Sequence, residues 1–148
     1  MGPDVHIVTV AARSTAVARR STTWAEFPTV WRVLLDQVYA FLGTHEVSQT
    51  GHNVMLYQDD VPNVEVGVEV EGPFASDGPV VSSALPAGET AMAVHRGSYD
   101  GLGAAHLAIR DWCAANGRNL AGPRWEIYGD WHEDPAQLET EVYYLLRS

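Results

Sequence analysis

Basic residues are scarce in this chain of 148 residues, in which nine Lys and Arg stand against nineteen Asp and Glu for a formal net charge of -10. Nucleic-acid backbones are held by clustered Lys and Arg that neutralise phosphates. The densest basic group, Arg13, Arg19 and Arg20, reads as ordinary solvated side chains beside a strand, so no nucleic-acid partner is expected. The single cysteine, Cys113, has no second thiol to pair with in the chain and sits beside Trp112 in an apolar helical pattern, as a small core residue does. No apolar run approaches the roughly 18 residues needed to span a bilayer, and the N-terminus lacks a charged-then-apolar secretory design. No membrane partner is expected, and the expected compartment is the cytoplasm. Also missing are a phosphate-cradling glycine loop with its Lys and Ser or Thr and the turn context of a nucleophile elbow. His132-Glu133-Asp134 offers metal-ligand types, but neighbours on one loop seldom reach a common ion. Neither a metal nor a cofactor is expected.

What the chain does have is a core and a repeat. Its 46% hydrophobic content supports a globular fold, and its length suits one domain spanning residues 1–148 without disulfide or metal staples. Thr15 to Phe27, TAVARRSTTWAEF, is rewritten as TAMAVHRGSYDGL from Thr90 to Leu102. After each copy comes a strand ending in tyrosine, NVMLY at Asn53 to Tyr57 and RWEIY at Arg124 to Tyr128. A longer strand carrying glutamate follows, VEVGVEV from Val64 and TEVYYLL from Thr140. The internal repeat covers about 5–71 and 88–147. Such a duplication predicts an α+β fold of two pseudo-symmetric strand-helix-strand-strand modules, each with antiparallel strands and one long helix, and a ligand cleft at the seam.

Local signals support the repeat. Thr23 followed by Glu26 fits a capping box, and Phe27, Val30, Trp31, Leu34, Val38 and Phe41 recur at helical spacing, predicting a helix from about Trp24 to Leu42. In the second copy Ser98 is the expected cap, Leu102, Ala105, His106, Ile109, Trp112 and Cys113 form the stripe, and Asn116-Gly117 supplies the stop. On that stripe His106 reads as a satisfied core histidine, and His95 as a structural hydrogen-bonding residue. Gly72 to Glu89 reads as a linker with a short strand near Val80.

Alternation sorts the strands into faces. Val64, Val66, Val68 and Val70 are expected to meet the helix, with Glu65 turned away. In Arg124 to Tyr128 the apolar pair Trp125 and Ile127 is taken as helix-facing, which sends Glu126 and Tyr128 to the opposite face. In the last strand Val142, Tyr144 and Leu146 face inward, so Glu141 and Tyr143 join them. With Val54 and Leu56 inward, Met55 and Tyr57 complete an acidic, aromatic-lined concavity. A carboxylate removed from water needs a cation or donors to compensate it. Tyrosines supply donors, and their rings attract cations by roughly 0.5 to 2 kcal/mol per contact. The pattern points to a lipophilic, cationic or aromatic ligand. It is equally that of a half-exposed sheet whose outer glutamates and tyrosines meet water.

The stretch ALPAGETAMAVHRGSYDGLGAAHLAIRDWCAANG from Ala84 to Gly117, with GPRWEIYGDW from Gly122 and TEVYYLL from Thr140, resembles the GyrI-like (gyrase-inhibitor-like) effector-binding family. The LYQDD and VEVGVEVEGPF segments extend the likeness over nearly the whole chain. The resemblance implies two SHS2 modules enclosing a cleft for lipophilic cations, with the central glutamate falling on Glu126, its aromatic neighbour on Tyr128, and Glu141 as a second acidic candidate. Family members often join this domain to a helix-turn-helix, for which this chain leaves no room. A stand-alone binding protein in drug sensing, sequestration or resistance is therefore expected. One alternative is a hydrolase that opens cyclopropane rings of DNA-alkylating natural products, with Glu126, Glu141 and Tyr128 as its catalytic candidates. The other is a gyrase-inhibitor-like protein interaction module. Whether the chain forms a homodimer stays open.

Overall fold

A computed structural model describes residues 4–147. The elements run β1 (His6–Val10), β2 (Arg13–Ser21), α1 (Phe27–His45), β3 (Gln49–Tyr57), β4 (Asn63–Val70), β5 (Val80–Leu85), β6 (Gly88–Arg96), α2 (Leu102–Ala115), β7 (Leu120–Tyr128) and β8 (Glu139–Leu146). Short 3-10 turns at Tyr99–Gly101 and Pro135–Gln137 precede α2 and β8. The strands form one antiparallel sheet in the order β1-β6-β8-β7-β3-β4-β2-β5. The expectation of an α+β fold with antiparallel strands and two helices holds, with a single continuous sheet in place of separate ones.

Helix α1 begins three residues later than the periodicity suggests. Thr23 Oγ1 does accept the backbone N–H of Glu26, at 3.1 Å, but residues 24–26 form a turn, and the helix proper starts at Phe27 with Pro28 in its first turn. Proline suits that position because its missing N–H would have no helical partner there. The far end extends to His45, where Glu46 turns the chain with a φ of 55°. Helix α2 follows two of its three expected signals, the stripe and the stop. Ala105, Ile109 and Cys113 are buried at four-residue spacing, and Gly117 follows the helix at a φ of 65°. Ser98 Oγ accepts the Asp100 N–H but caps the 3-10 turn Tyr99–Gly101, and α2 proper starts after it with Gly101 at its N-cap and no side-chain cap.

Both helices lie on one face of the sheet. Leu34, Val38 and Phe41 of α1 pack on Ala16, Ala18, Met55, Tyr57 and the four valines of β4. Ile109 and Cys113 of α2 pack on Ala91, Ala93, Val142 and Tyr144. The opposite face has its own core of Val54, Leu56, Leu85, Trp125, Ile127 and Tyr143, against which Val10, Met92 and Leu145 pack. Val10 and Leu85 belong to the two edge strands, so the sheet curls until its edges share one cluster on the helix-free side.

This second core corrects the assignment of faces. Trp125 and Ile127, expected against the helices, lie on the helix-free face with Val54 and Leu56. The register leaves no alternative, because Glu126 pairs with Val142 on one side and Met55 on the other, while Trp125 pairs with Tyr143 and Leu56. Directly opposed residues share a face, so Glu126 goes where Val142 goes, toward the helices. For β4 and β8 the expected inward sets hold.

Candidate functional site

The two central strands, β3 and β7, place the site. Met55 and Tyr57 alternate along β3, Arg124, Glu126 and Tyr128 along β7, and the pairs Met55/Glu126 and Tyr57/Arg124 bring both sets side by side on the helix face. A cavity of about 960 Å³ opens above them, lined by Phe27, Trp31 and Tyr39 of α1, Tyr99 and Leu102 before and in α2, and the Gly129 to Trp131 segment. Glu126, Tyr57, Tyr128 and Met55 form part of its wall. Among the described residues no Lys or Arg lines this cavity, whereas Glu126, Asp100 and Asp130 do.

Glu126 is 4% exposed, and a carboxylate that dry must have its oxygens answered. Its Oε1 accepts the Tyr57 hydroxyl at 2.9 Å and also the Tyr128 hydroxyl. Its Oε2 lies 2.6 Å from His106 Nε2. Met55 Sδ sits 3.3 Å from the Tyr128 hydroxyl and 3.7 Å from that of Tyr57. Burial, followed by the adjacent Glu126 charge, holds both phenols well above the usual tyrosine range. Tyr57 and Tyr128 therefore stay protonated donors.

Aromatic packing fixes the phenols in turn. Trp24 and Phe27 each lie 5.5 Å from the Tyr57 ring, and Tyr99 meets Tyr128 edge-on at 5.7 Å. Behind Tyr57 the buried Arg124 guanidinium lies 5.6 to 6.0 Å from the rings of Trp24, Tyr57 and Tyr144 and pairs with Asp60 at 2.8 Å. At the cavity rim His52 Nε2 and Asp130 Oδ1 are 3.0 Å apart, tying β3 to the loop that carries Trp131. Among the described residues no group of three or more His, Cys, Asp or Glu is arranged to hold a metal ion.

Of the seven residues singled out from sequence, the fold gathers Met55, Tyr57, Glu126 and Tyr128 and sets Glu65, Glu141 and Tyr143 on the other face. There Glu65 is satisfied internally by Arg19 at 2.7 Å, Gln58 at 3.0 Å and Ser83 at 2.6 Å. Glu141 accepts the Tyr143 hydroxyl at 2.7 Å, and Tyr143 stacks on Trp125. Glu141 and Tyr143 do share the face away from the helices, as parity requires of β8, but β7 runs with the opposite phase. His95 closes the turn before α2 through the Ser98 carbonyl, 2.7 Å from its Nε2.

Sequence reading missed three parts of the site. Trp31 reads as one more residue of the helix stripe and Tyr39 carries no signal, yet α1 turns both into the cavity. Trp131 lay in a loop without periodicity. His106 carried the one available signal, a titratable side chain in the middle of an otherwise apolar stripe, and a core histidine needs a partner.

A curved antiparallel sheet bearing two helices on one face, with a buried carboxylate at the wall of an aromatic cavity, defines a small-molecule pocket protein. The chain belongs to the GyrI-like small molecule binding domain family, whose model matches residues 3–147. It is similar in fold to the EcmrR C-terminal domain, at 19% identity and a TM-score of 0.83 over 100% of this chain and 99% of that one. Another similar structure is SAV2435 bound to tetraphenylphosphonium, at 10% identity and a TM-score of 0.72 over 98% and 94% of the two chains. A third is a hydrolase from Listeria innocua, at 9% identity and a TM-score of 0.66 over 99% and 93%. No curated protein sequence matches the chain. No helix among the described residues is long and apolar enough to cross a membrane.

Proposed function

We propose that this GyrI-like domain is a cytoplasmic binding module for lipophilic monocations with aromatic surface, serving drug sensing or sequestration. The observation that carries the reading is Glu126, a buried carboxylate answered by hydroxyl and imidazole groups in a cavity without Lys or Arg. A charge desolvated in this way attracts a cation far more strongly than one in water. Phe27, Trp31, Tyr57, Tyr99 and Tyr128 supply ring faces and edges for the ligand's apolar part. The likeness to SAV2435, whose structure holds tetraphenylphosphonium, supports the same ligand class.

The reading takes Met55, Tyr57, Glu126 and Tyr128 as the ligand-binding set. It also takes the whole chain as one domain of two strand-helix-strand-strand modules. Support for that symmetry comes from the strand order, in which β2-β4-β3 of one half is mirrored by β6-β8-β7 of the other about the β3/β7 seam. Hydrolysis by a Glu126/Glu141 pair gains no support, since the two carboxylates stand on opposite faces of the sheet.

The test is a thermal-shift titration of wild-type and Glu126→Gln protein with tetraphenylphosphonium, followed by recovery of the compound. At a hundred times the dissociation constant the wild type gains about 2.7 kcal/mol of stability, and the variant gains far less. Equal stabilisation of both proteins would remove Glu126 from the site, and a chemically altered compound would point to an enzyme.

A further inference from the structure

The cavity wall is irregular at one place in β3, and the irregularity presents hydrogen-bonding groups that Glu126 does not use. Strand β3 pairs Gln49 with Val70 of β4 and then Asn53 with Val68, so Thr50, Gly51 and His52 stand opposite Glu69 alone. Pairing with β7 starts only at Val54. A bulge of this kind re-aims side chains. Here every residue from Gln49 to Asn53 lines the cavity, where a regular strand would turn alternate residues away. Glu69 holds the bulge in place. Its Oε2 accepts the His52 backbone N–H at 3.0 Å, its Oε1 accepts Arg13 at 2.9 Å, and a Cβ on Gly51 would lie 2.1 Å from Oε2.

The cavity is long enough for a second group at this end. Phe27, Trp31, Leu35 and Tyr39 line it as one row of α1 at four-residue spacing, and the helix between the first and the last of them spans roughly 18 Å at 1.5 Å per residue. At the head of the row Phe27 packs on Tyr57, which holds Glu126. At its foot the Tyr39 hydroxyl donates to Asn53 Oδ1. That bond fixes the half-buried Asn53 amide through its oxygen and leaves the N–H donors of Nδ2 without a partner among the described residues. Asp130, the acid at this end, already faces His52 at 3.0 Å. Gln49, Thr50 and Asn53 make the rest of it polar and uncharged.

We infer that the bulge of β3 is a second subsite, in which Asn53, held by Tyr39, binds a neutral acceptor such as the carbonyl or hydroxyl oxygen of a ligand whose apolar head lies against Glu126. The ligand class is then an elongated amphiphile with an uncharged polar tail. Asn53 discriminates among such molecules by their tails, a choice in which Glu126 takes no part. For the head group this rests on the small-cation reading above, and it adds what the site selects at the other end.

The test is calorimetric titration with tetraphenylphosphonium and with two triphenylphosphonium cations whose pentyl tails end in a carboxamide or in a methyl group. The carboxamide-to-methyl affinity ratio is compared between proteins, a double cycle that cancels any general loss of affinity. Asn53→Ala should lower the ratio by about three- to tenfold relative to wild type. Tyr39→Phe, which releases the amide from its tether, should lower it by a smaller factor. An unchanged ratio in Asn53→Ala overturns the inference. If that variant does not fold, Tyr39→Phe decides, because Tyr39 is an exposed residue whose hydroxyl can be removed without opening the core, and an unchanged ratio there overturns the inference equally. Wild-type protein that binds tetraphenylphosphonium while the ratio stays fixed across the variants loses only the second subsite. Wild-type protein that binds none of the three cations removes the small-cation reading itself, and this inference with it.

Discussion

At the scale of single residues, the site turns on two phenols that converge on one carboxylate oxygen. Because folding raises the Tyr57 and Tyr128 pKa values, the folded state keeps protons that the unfolded chain releases near pH 10. Their contribution to stability is thus complete below about pH 10 and is lost as pH climbs toward the raised values, at about 1.4 kcal/mol per pH unit for each phenol. Urea unfolding from pH 9 upward should show this decline, and Tyr57→Phe with Tyr128→Phe should flatten it. A steep decline retained in the double variant would place the alkaline sensitivity elsewhere, with Tyr143 and Tyr144 the next groups whose pKa values are raised by burial. Either tyrosine alone can hold Oε1, so losing both should cost more than the sum of the single losses. That Tyr128 stands one pleat repeat from Glu126 on the same face of β7, and that Tyr57 shares a face with Met55 in β3, was legible from strand alternation. That their hydroxyls reach the same oxygen depends on the β3/β7 register, which no local pattern encodes.

At the scale of elements, two glycines of similar appearance in sequence have opposite roles. A Cβ on Gly67 of β4 would lie 1.8 Å from the Ala16 carbonyl oxygen and 2.8 Å from Val17 Cα, both backbone atoms that cannot yield. The two paired strands approach closely here, where Gly67 stands opposite Val17. Gly67→Ala should therefore destabilise by about 1 to 3 kcal/mol or more. Gly43, near the end of α1, has nothing within 4 Å of a Cβ, so Gly43→Ala should stabilise by roughly 0.5 to 1 kcal/mol. Paired thermal melts check both signs, and a Gly67→Ala protein as stable as wild type would refute the role given to that contact. Helices, caps and stops were legible because their signals lie within a few residues of each other. Both expected caps, Thr23 and Ser98, serve a turn that precedes the helix, which is why α1 starts later than its periodicity suggests.

At the scale of the whole molecule, the sheet is buried on both sides. Trp125, 1% exposed and stacked on Tyr143 at 5.5 Å, anchors the helix-free face. Trp125→Ala should cost about 3 to 5 kcal/mol, measured by urea unfolding, and a cost near zero would mean that this face is not a second core. The amino-acid sequence by itself determined the repeat, the two helices, the strands and the residue types of the site, because periodicity, capping and turn chemistry act over neighbouring positions. It also carried the family resemblance and the pairing of Met55, Tyr57, Glu126 and Tyr128 on one face. Only the tertiary structure decided which face that was. An apolar residue on a strand seeks burial on either side, and a sheet with helices on one face and its own curled edges on the other buries both. Val54, Leu56, Trp125 and Ile127 therefore satisfied their hydrophobicity away from the helices, and register carried Glu126 into the aromatic cavity while leaving Glu65 and Glu141 across the sheet.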